Sequence, residues 1–397
     1  MKTVSQILKE KFWIARPLNT ILEEAEGVRF NIVTDDISKK SLFGGVATAL
    51  ILATILCDRN QWTLRIITRT EPCNLNNYYK FLEIYKLKAP QKVEAYSDEN
   101  YDSDIINFSL PISDSDIFMA TSWWSAKSLL DSNINRRILY IIQEEETFFY
   151  NYSDDRLCCE KVMDSPQIDY IVNSKLLYDY LKNHNYDSLS SNSWYFEPAF
   201  PSELYFTDEN TFKEKKEKKK LFFYGRPKNP RNLFYFGLEC LDNAIERGII
   251  DTDLWDIYFA GSEMENFSFC NGYSPKINGV MGWKEYAAFA RTVDLAFCLM
   301  YTPHPSYPPF DMLCSGAVVL SNQFENKQHL KYSSNLLLKE LDKEEMIKGL
   351  TEGLELASNL EKRKENYLHN CILRSWEDSF ESILADLEER INKRIYV

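Results

Sequence analysis

The sequence predicts an α/β protein of two domains, each built around a parallel sheet. Its 397 residues exceed the roughly 250–300 at which single hydrophobic cores stop growing. In both halves, short apolar runs typical of buried strands alternate with segments of helical apolar spacing, which indicates βαβ units. A charged segment separates the two series, and we expect the carboxyl edges of the two sheets to face each other across a cleft.

Five segments follow from this organisation. They are a helical N-terminal extension broken at Pro17 (residues 1–26), a first βα domain (27–207), a charged linker (208–220), a second βα domain (221–370) and a C-terminal helix (371–397). A charged run of this kind is most simply a solvated linker, with contact to a membrane surface as the alternative.

The first domain begins with a βαβ unit. Residues 28–33 are a predicted strand, residues 46–58 a helix and residues 64–68 the next strand. Gly44 and Gly45 stand at the start of this helix, where they would allow a ligand to approach closely and direct free N–H groups at an anion. A glycine pair that serves only helix packing is the alternative.

Polar segments follow two later strands of this domain. Trp123 and Trp124 come just after a strand predicted at 117–120, and Gln143 and Glu146 come after another at 137–142. A solvated acidic loop is the alternative for the second segment. The remaining predictions here are a helix over 78–87, a strand over 170–174, an Asn-Ser cap at 173–174 and a helix over 175–182.

An arginine-rich loop opens the second domain. A strand at 220–224 runs into Gly225-Arg-Pro-Lys-Asn-Pro-Arg-Asn232 and then into a helix. Arg226 and Arg231 offer guanidinium donors beside a helix N-terminus, which suits the binding of a diphosphate. A loop of ordinary solvated arginines is the alternative. The elements that follow are predicted as a helix over 233–247, strands over 255–260, 294–300 and 318–320, a helix over 283–291 and helices from residue 327 onward.

A proline-rich loop, Tyr301–Asp311, is the second candidate site in this domain. Pro308 and Pro309 suit the first turn of a helix, where a missing N–H costs nothing, and this helix would carry Asp311 before it stops at Gly316. A rigid polar loop between a buried strand and a helix is how α/β proteins present a site at the carboxyl edge of a parallel sheet. A proline-stiffened surface loop is the alternative.

Two titratable residues of this loop have candidate roles. Asp311 could accept hydrogen bonds from a ribose diol, or serve only the dipole of its helix. His304 lies between prolines that hold its ring in place, where it could donate to a phosphate or simply cap the loop.

Composition and missing motifs argue against several classes of protein. A net charge of −13 argues against a nucleic-acid partner, which would need basic surface. No apolar run is long enough for a membrane span, and the N-terminus lacks a signal core. The nine cysteines are scattered without metal-type spacing, so we expect reduced thiols in a cytoplasmic protein. Walker A, G-x-S-x-G and G-x-G-x-x-G patterns are absent.

An ordered set of short segments carries a resemblance. These segments are Phe43-Gly-Gly-Val, Trp123-Trp-Ser-Ala, Ile142-Gln-x-x-Glu146, Val172-Asn-Ser174, Tyr224-Gly-Arg-Pro with Pro230-Arg-Asn232, and Pro303-His-Pro-Ser-Tyr-Pro-Pro309. Together they resemble the bacterial rhamnosyltransferases of surface-glycan assembly, in the retaining GT-B glycosyltransferases of family 4. The resemblance covers roughly residues 28–335 and is most specific at the Arg-Pro and His-Pro-Ser-Tyr-Pro-Pro segments.

The resemblance implies a GT-B fold with two Rossmann-like domains. The first domain would bind an oligosaccharide or lipid-linked glycan acceptor, the second a nucleotide-sugar, with dTDP-L-rhamnose favoured. The C-terminal helix would cross back to the first domain. No metal or other cofactor would be required, and peripheral contact with the inner face of the cell membrane is compatible with such an acceptor.

Roles for individual residues are likewise implied by the resemblance. The residues implied in catalysis are Arg226, Arg231 and His304; those in donor binding are Gly44, Gly45, Gly225, Asn232, Ser306, Tyr307, Pro308 and Asp311; those in acceptor or sugar contact are Trp123, Trp124, Gln143 and Glu146. Asp311 stands where the family has a ribose-binding glutamate, and Pro303 stands where the first glutamate of the family's usual pair would be.

The predicted reaction is transfer of a hexose, L-rhamnose from dTDP-L-rhamnose, onto a growing surface polysaccharide with retention. The acceptor hydroxyl would attack from the face that the diphosphate leaves. The alternatives are the same fold with another UDP-, GDP- or dTDP-sugar, and a non-catalytic scaffold that binds sugar nucleotides or glycans.

Overall fold

Two units make up the computed structural model, which describes residues 1–39, 41–42, 44–98, 109–184, 186–214 and 218–395. The first unit consists of Met1–Pro198 and Trp376–Val397, and the second of Ala199–Ser375. Each unit contains a parallel sheet with helices, as the sequence predicts. Phe43, the first residue of one of the quoted segments, lies outside the described residues.

The first unit is built on a seven-stranded parallel sheet in the order β4-β3-β2-β6-β7-β8-β9, beside a separate parallel pair, β1 and β5. Its strands are β1 (Thr20–Leu22), β2 (Arg29–Thr34), β3 (Thr63–Thr68), β4 (Val93–Ser97), β5 (Leu110–Ile112), β6 (Ile117–Ala120), β7 (Ile138–Ile142), β8 (Ile168–Asn173) and β9 (Ser193–Phe196). Its helices up to this point are α1 (Val4–Lys11), α2 (Gly44–Asn60), α3 (Leu75–Tyr85), α4 (Trp123–Leu130), α5 (Asp154–Met163), α6 (Lys175–Asn183) and α7 (Asp187–Ser191).

The central strands of the first sheet are buried along their whole length. Every residue of β2, β7 and β8 is buried, as expected where both faces of a parallel sheet are covered. Residues 47–57 of α2 are also all buried, so this helix is covered on every side rather than only on a stripe.

The second unit has a six-stranded parallel sheet in the order β12-β11-β10-β13-β14-β15. Its strands are β10 (Lys219–Tyr224), β11 (Trp255–Ala260), β12 (Lys276–Ile277), β13 (Leu295–Phe297), β14 (Val318–Asn322) and β15 (Leu336–Lys339). Its helices are α8 (Phe234–Glu246), α9 (Trp283–Ala290), α10 (Pro308–Cys314), α11 (Lys343–Ser358) and α12 (Leu360–Leu368). Phe223, Phe259 and Phe297 pack together at the centre of its core.

The last helix, α13 (Trp376–Ile395), belongs to the first unit. Its Phe380 ring lies 4.8 Å from the ring of Phe196 at the edge strand β9. Its Arg390 pairs with the fully buried carboxylate of Asp169 at 3.0 Å. The helix therefore covers one edge of the first sheet.

The segment before β10 differs from the predicted linker at 208–220. The second unit already begins at Ala199, where Phe200 stacks on Phe310 at 5.1 Å between ring centroids. Thr211 is 2% exposed, and its methyl group lies next to Gly316. Residues 208–210, 213, 214 and 218 are exposed, as predicted for a solvated segment. Residues 215–217 lie outside the described residues.

Two local predictions need correction, and several elements were not predicted. The segment after Lys327 was predicted to be helical but contains β15, which pairs with β14. Ser174 occupies the position before α6 without a capping hydrogen bond from its side chain. Instead, Glu197 accepts the N–H of Lys175 at 3.1 Å. Strands β1, β4, β5, β9 and β12 and helices α4, α5 and α7 were not predicted.

The described part of the chain contains no helix long and apolar enough to cross a membrane. All nine cysteines are free thiols, as predicted. Pro308 and Pro309 do begin α10, and Gly316 follows its end with φ of 90°.

Candidate functional site

Three loops meet at the carboxyl edge of the second sheet. The loop after β10 carries Arg231, whose carbonyl accepts the N–H of Tyr301 from the loop after β13 at 2.7 Å. The loop after β14 carries Lys327, whose ammonium donates to the carbonyl of Met300 at 2.9 Å. Both cations act electrostatically on His304. The convergence places two cations beside the buried imidazole of His304, an arrangement that favours an anion nearby.

His304 is a neutral, buried hydrogen-bond donor between these cations. Burial, together with the nearby charges of Lys327 and Arg231, lowers the pKa of His304 to about 3. The N–H of Ser306 donates to Nδ1 at 3.0 Å, which assigns the ring proton to Nε2. Nε2 is buried and has no hydrogen-bond partner among the residues that the structure describes.

Residues 306–308 hold the imidazole. Ser306 has φ of 69°, a conformation that non-glycine residues adopt only where the surroundings enforce it. The ring of Tyr307 lies 5.9 Å from that of His304 and 5.8 Å from that of Phe200. Pro308 then begins α10, so the loop has a fixed path at both ends.

The arginine-rich loop is fixed by close backbone packing. Gly225 donates its N–H to Ala260 at 3.0 Å, and a Cβ on Gly261, whose φ is 143°, would lie 1.7 Å from the Gly225 carbonyl oxygen. Arg226 is exposed and lies near the hydroxyl of Tyr224. The exposed Lys228 is paired with Glu263 at 2.7 Å. Asn232 is fully buried beneath the loop.

Asp311 lies inside the second unit. Burial raises its pKa to about 8, although the nearby hydroxyls of Tyr205 and Tyr286 lower it. The residue is 7% exposed. The structure therefore surrounds this predicted ribose-binding carboxyl with two tyrosines and favours its protonated form at neutral pH.

In the first unit, the start of α2 meets the end of β7. Gly44 has φ of 49°, which favours glycine. Gln143 donates from Nε2 to the carbonyl of Gly45 at 2.6 Å and accepts from Asn173 at 3.3 Å. A Cβ on Gly45 would lie 3.1 Å from that Nε2. The structure thus brings together the predicted glycine pair, Gln143 and Asn173.

The two tryptophans have different environments. Trp123 is 1% exposed, and Glu146 is 5% exposed; the Glu146 carboxyl accepts the N–H of Trp123 at 2.8 Å. Burial raises the pKa of Glu146 to about 8. Trp124 is only half-buried, and its indole N–H donates to Asp35 at 2.7 Å. Trp123 and Glu146 are therefore buried, whereas Trp124 is partly exposed to solvent.

Sequence reasoning missed four residues at these edges: Asp35, Tyr205, Tyr286 and Lys327. The sequence could have indicated Asp35 and Lys327, because each follows a buried strand of a parallel sheet. It could not have indicated the two tyrosines, since they reach Asp311 from distant parts of the chain. Among the described residues, no group of three or more His, Cys, Asp or Glu side chains could hold a metal ion.

Family comparison identifies both halves of the chain. Residues 29–175 match the family model described as WsaF, N-terminal domain, and residues 219–351 match WsaF, C-terminal domain. The chain carries both domains of WsaF. The chain therefore belongs to the WsaF family. The finer assignment, to a rhamnosyltransferase of family 4, stays a prediction.

Several solved structures have the same fold as this chain. Sucrose-phosphate synthase from Thermosynechococcus elongatus has a TM-score of 0.59 at 11% identity, covering 92% of this chain and 98% of its own. Anabaena Alr3699/HepE, in complex with UDP and glucose, has a TM-score of 0.60 at 10% identity, covering 91% and 99%. A mutant of S. aureus TarM in a complex containing UDP has a TM-score of 0.62 at 10% identity, covering 92% and 100%. The predicted GT-B fold with two Rossmann-like domains is confirmed.

A curated relative is similar over about two thirds of the chain. The O-antigen biosynthesis protein RfbC of Myxococcus xanthus is 25% identical over 275 residues, which is 68% of this chain. The matched region spans only 20% of RfbC.

Proposed function

We propose that this protein transfers L-rhamnose from dTDP-L-rhamnose to a growing bacterial surface polysaccharide, with retention of the anomeric configuration. The observation that supports it is the convergence of Arg231, His304 and Lys327 at the carboxyl edge of the second sheet. The name of RfbC supports a role in surface-glycan assembly. The rhamnose assignment rests on the resemblance of the arginine-rich and proline-rich loops to rhamnosyltransferases.

The donor's diphosphate is the group for which the convergent loops are suited. Arg226 and Arg231 would neutralise its charge with guanidinium donors, and Lys327 would add a third cation. Helix α8 starts without a capping hydrogen bond from a side chain, so its first N–H groups can meet a phosphate. Gly44 and Gly45 would leave the N–H groups of α2 similarly open.

Catalysis would consist mainly of stabilising the leaving group. As the bond to the sugar breaks, negative charge grows on the nucleotide diphosphate, and fixed cations lower the energy of that state. The Nε2–H of His304 would donate to a phosphate or sugar oxygen. The leaving phosphate would take the proton of the acceptor hydroxyl, which attacks from the same face. Under this proposal no metal is needed, so turnover should survive saturating EDTA.

A donor panel tests the proposal. Nucleotide release would be measured with dTDP-L-rhamnose, UDP-glucose, UDP-N-acetylglucosamine and GDP-mannose, each with and without an oligosaccharide acceptor. UDP-sugars are the specific alternative, because the solved neighbours HepE and TarM contain UDP. Turnover with a UDP-sugar and not with dTDP-L-rhamnose would refute the rhamnose assignment. Binding of several donors without turnover would favour a non-catalytic scaffold.

Arg226→Ala tests the role of the arginine-rich loop in the same assay. Removing a donor to developing charge should reduce kcat by about 10²-fold, whereas the exposed position predicts an unchanged melting temperature. Lys228→Ala is the matched control, since its ammonium is already paired with Glu263 and its loss should change kcat by less than about threefold. Equal effects of the two variants would contradict the leaving-group role.

A further inference from the structure

Asp35 is a carboxylate at the edge of the first sheet for which the proposed function has no role. It follows β2 directly, and Trp124 and Gln143 follow β6 and β7, the next two strands in the sheet. Because the strands are parallel, all three residues lie at the carboxyl edge, where α/β proteins bind ligands. The carbonyl of Asp35 accepts the N–H groups of Arg69 and Thr70 at 2.9 and 3.0 Å, which fixes its backbone.

The two oxygens of the Asp35 carboxylate differ in their hydrogen-bond partners. Oδ1 accepts the indole N–H of Trp124 at 2.7 Å. Oδ2 receives no hydrogen bond from any residue in the described ranges. The neighbouring Asp36 differs in this respect, because its oxygens accept from the N–H of Ser38 and the hydroxyl of Ser41. Asp35 is thus held by one oxygen while the other remains available.

The chemistry around Asp35 selects the kind of ligand. Burial and the adjacent charge of Asp36 raise its pKa, although Trp124 and Arg69 lower it, so its charge is only partly solvated and needs hydrogen-bond donors. A carboxylate repels phosphate, and the described residues supply no three-ligand metal cluster here. A neutral ligand rich in hydroxyl groups fits. The half-buried indole of Trp124 adds an apolar surface of the kind that packs against the C–H groups of a sugar.

We propose that Asp35 and Trp124 form the acceptor-sugar subsite, in which Asp35 Oδ2 accepts a hydrogen bond from an acceptor hydroxyl. Trp124 orients the carboxylate through its N–H and offers its ring to the sugar. This inference rests on the proposed glycosyltransferase function, and it assigns acceptor recognition to a residue that the sequence did not single out.

Kinetics on the full chain provide the first test. Asp35→Asn keeps the shape and an oxygen for Trp124 but removes the charged acceptor, so the KM for acceptor should rise at least about tenfold, with the KM for donor within about twofold. Asp36→Asn is the matched control and should leave both values unchanged. Trp124→Phe, which keeps a ring but loses the N–H, should raise the KM for acceptor by a smaller factor. An acceptor KM in Asp35→Asn equal to that of Asp36→Asn would overturn the inference.

Direct binding separates this inference from the proposed function. Saturation-transfer NMR would use the methyl α-glycosides of L-rhamnose, D-glucose, D-galactose and D-mannose as probes. We expect a signal with at least one glycoside in the wild type and in Asp36→Asn, and its loss in Asp35→Asn. That pattern supports the subsite even if no donor is turned over, in which case only the proposed function fails. Equal signals in Asp35→Asn and wild type, or no signal in the wild type, would overturn the subsite.

Discussion

Replacing His304 by Asn should separate the two functions of its ring. Nδ1 accepts the N–H of Ser306 at 3.0 Å, whereas the buried Nε2 faces no protein partner in the described chain. An Asn side chain places an acceptor oxygen near the former Nδ1 and has no group that reaches the former Nε2. The substitution should therefore keep the loop and remove only the donor to substrate.

The size of the effect follows from the type of hydrogen bond. A bond to a charged oxygen contributes about 1.5–3 kcal/mol, and each 1.36 kcal/mol is a factor of ten. We therefore expect kcat/KM for donor to fall roughly 10- to 150-fold in His304→Asn. His304→Ala also leaves the buried N–H of Ser306 unsatisfied and should lose a further 1–3 kcal/mol, approximately, of folding free energy.

Single-turnover kinetics and thermal unfolding on both variants check this reasoning. His304→Asn should melt near the wild-type temperature, and His304→Ala clearly below it. Because the pKa of His304 is about 3, this group should cause no inflection in the rate between pH 5.5 and 8. A kcat/KM in His304→Asn within about twofold of wild type, or a loss of rate that tracks loss of stability, would refute the donor role.

Two further predictions concern stability. Gly261→Ala should lose at least about 3 kcal/mol of unfolding free energy, because its Cβ would overlap the Gly225 carbonyl. Gly272→Ala is the control: its φ is 81° with open space around it, so it should lose only about 1–2 kcal/mol. Denaturant unfolding of both variants measures the two losses. Glu146, with its pKa raised from 4.5 to about 8, holds a proton in the folded chain that the unfolded chain releases, so stability falls as pH rises between these values. Glu146→Gln should remove this decline, which this pKa difference limits to about 5 kcal/mol. Its melting-temperature advantage over wild type should grow from pH 5 to pH 8.5, and a constant difference would contradict the assignment.

Local patterns predicted the sheets well where strands are buried on both faces. Apolar residues identified β2, β7 and β14 nearly to their ends because their pattern does not depend on distant residues. The segment Leu336–Lys339 consists of leucines and a lysine, which favour helix intrinsically. It becomes β15 because Val319 and Leu336 align across a strand pair, a tertiary constraint that local composition does not contain.

Some features of the candidate site could likewise be predicted from local sequence, and others depend on distant residues. The sequence located Arg231 and His304 because strand–loop–helix order places such residues at a sheet edge. It did not predict the protonation of His304, which depends on the Ser306 N–H and on Lys327 from another loop. It placed Asp311 correctly on α10 but contained no sign of the tyrosines around it.

The chain encodes its first unit in two separate pieces. Ala199–Ser375, the second unit, is continuous, whereas the first unit needs α13 from beyond it. During synthesis, the ribosome completes the whole second unit before α13 exists, so the surface around Phe196 stays open to water in the meantime. Chains of this size fold domain by domain, usually from the N-terminus. Here the first unit can complete its fold only after the second unit has been synthesised.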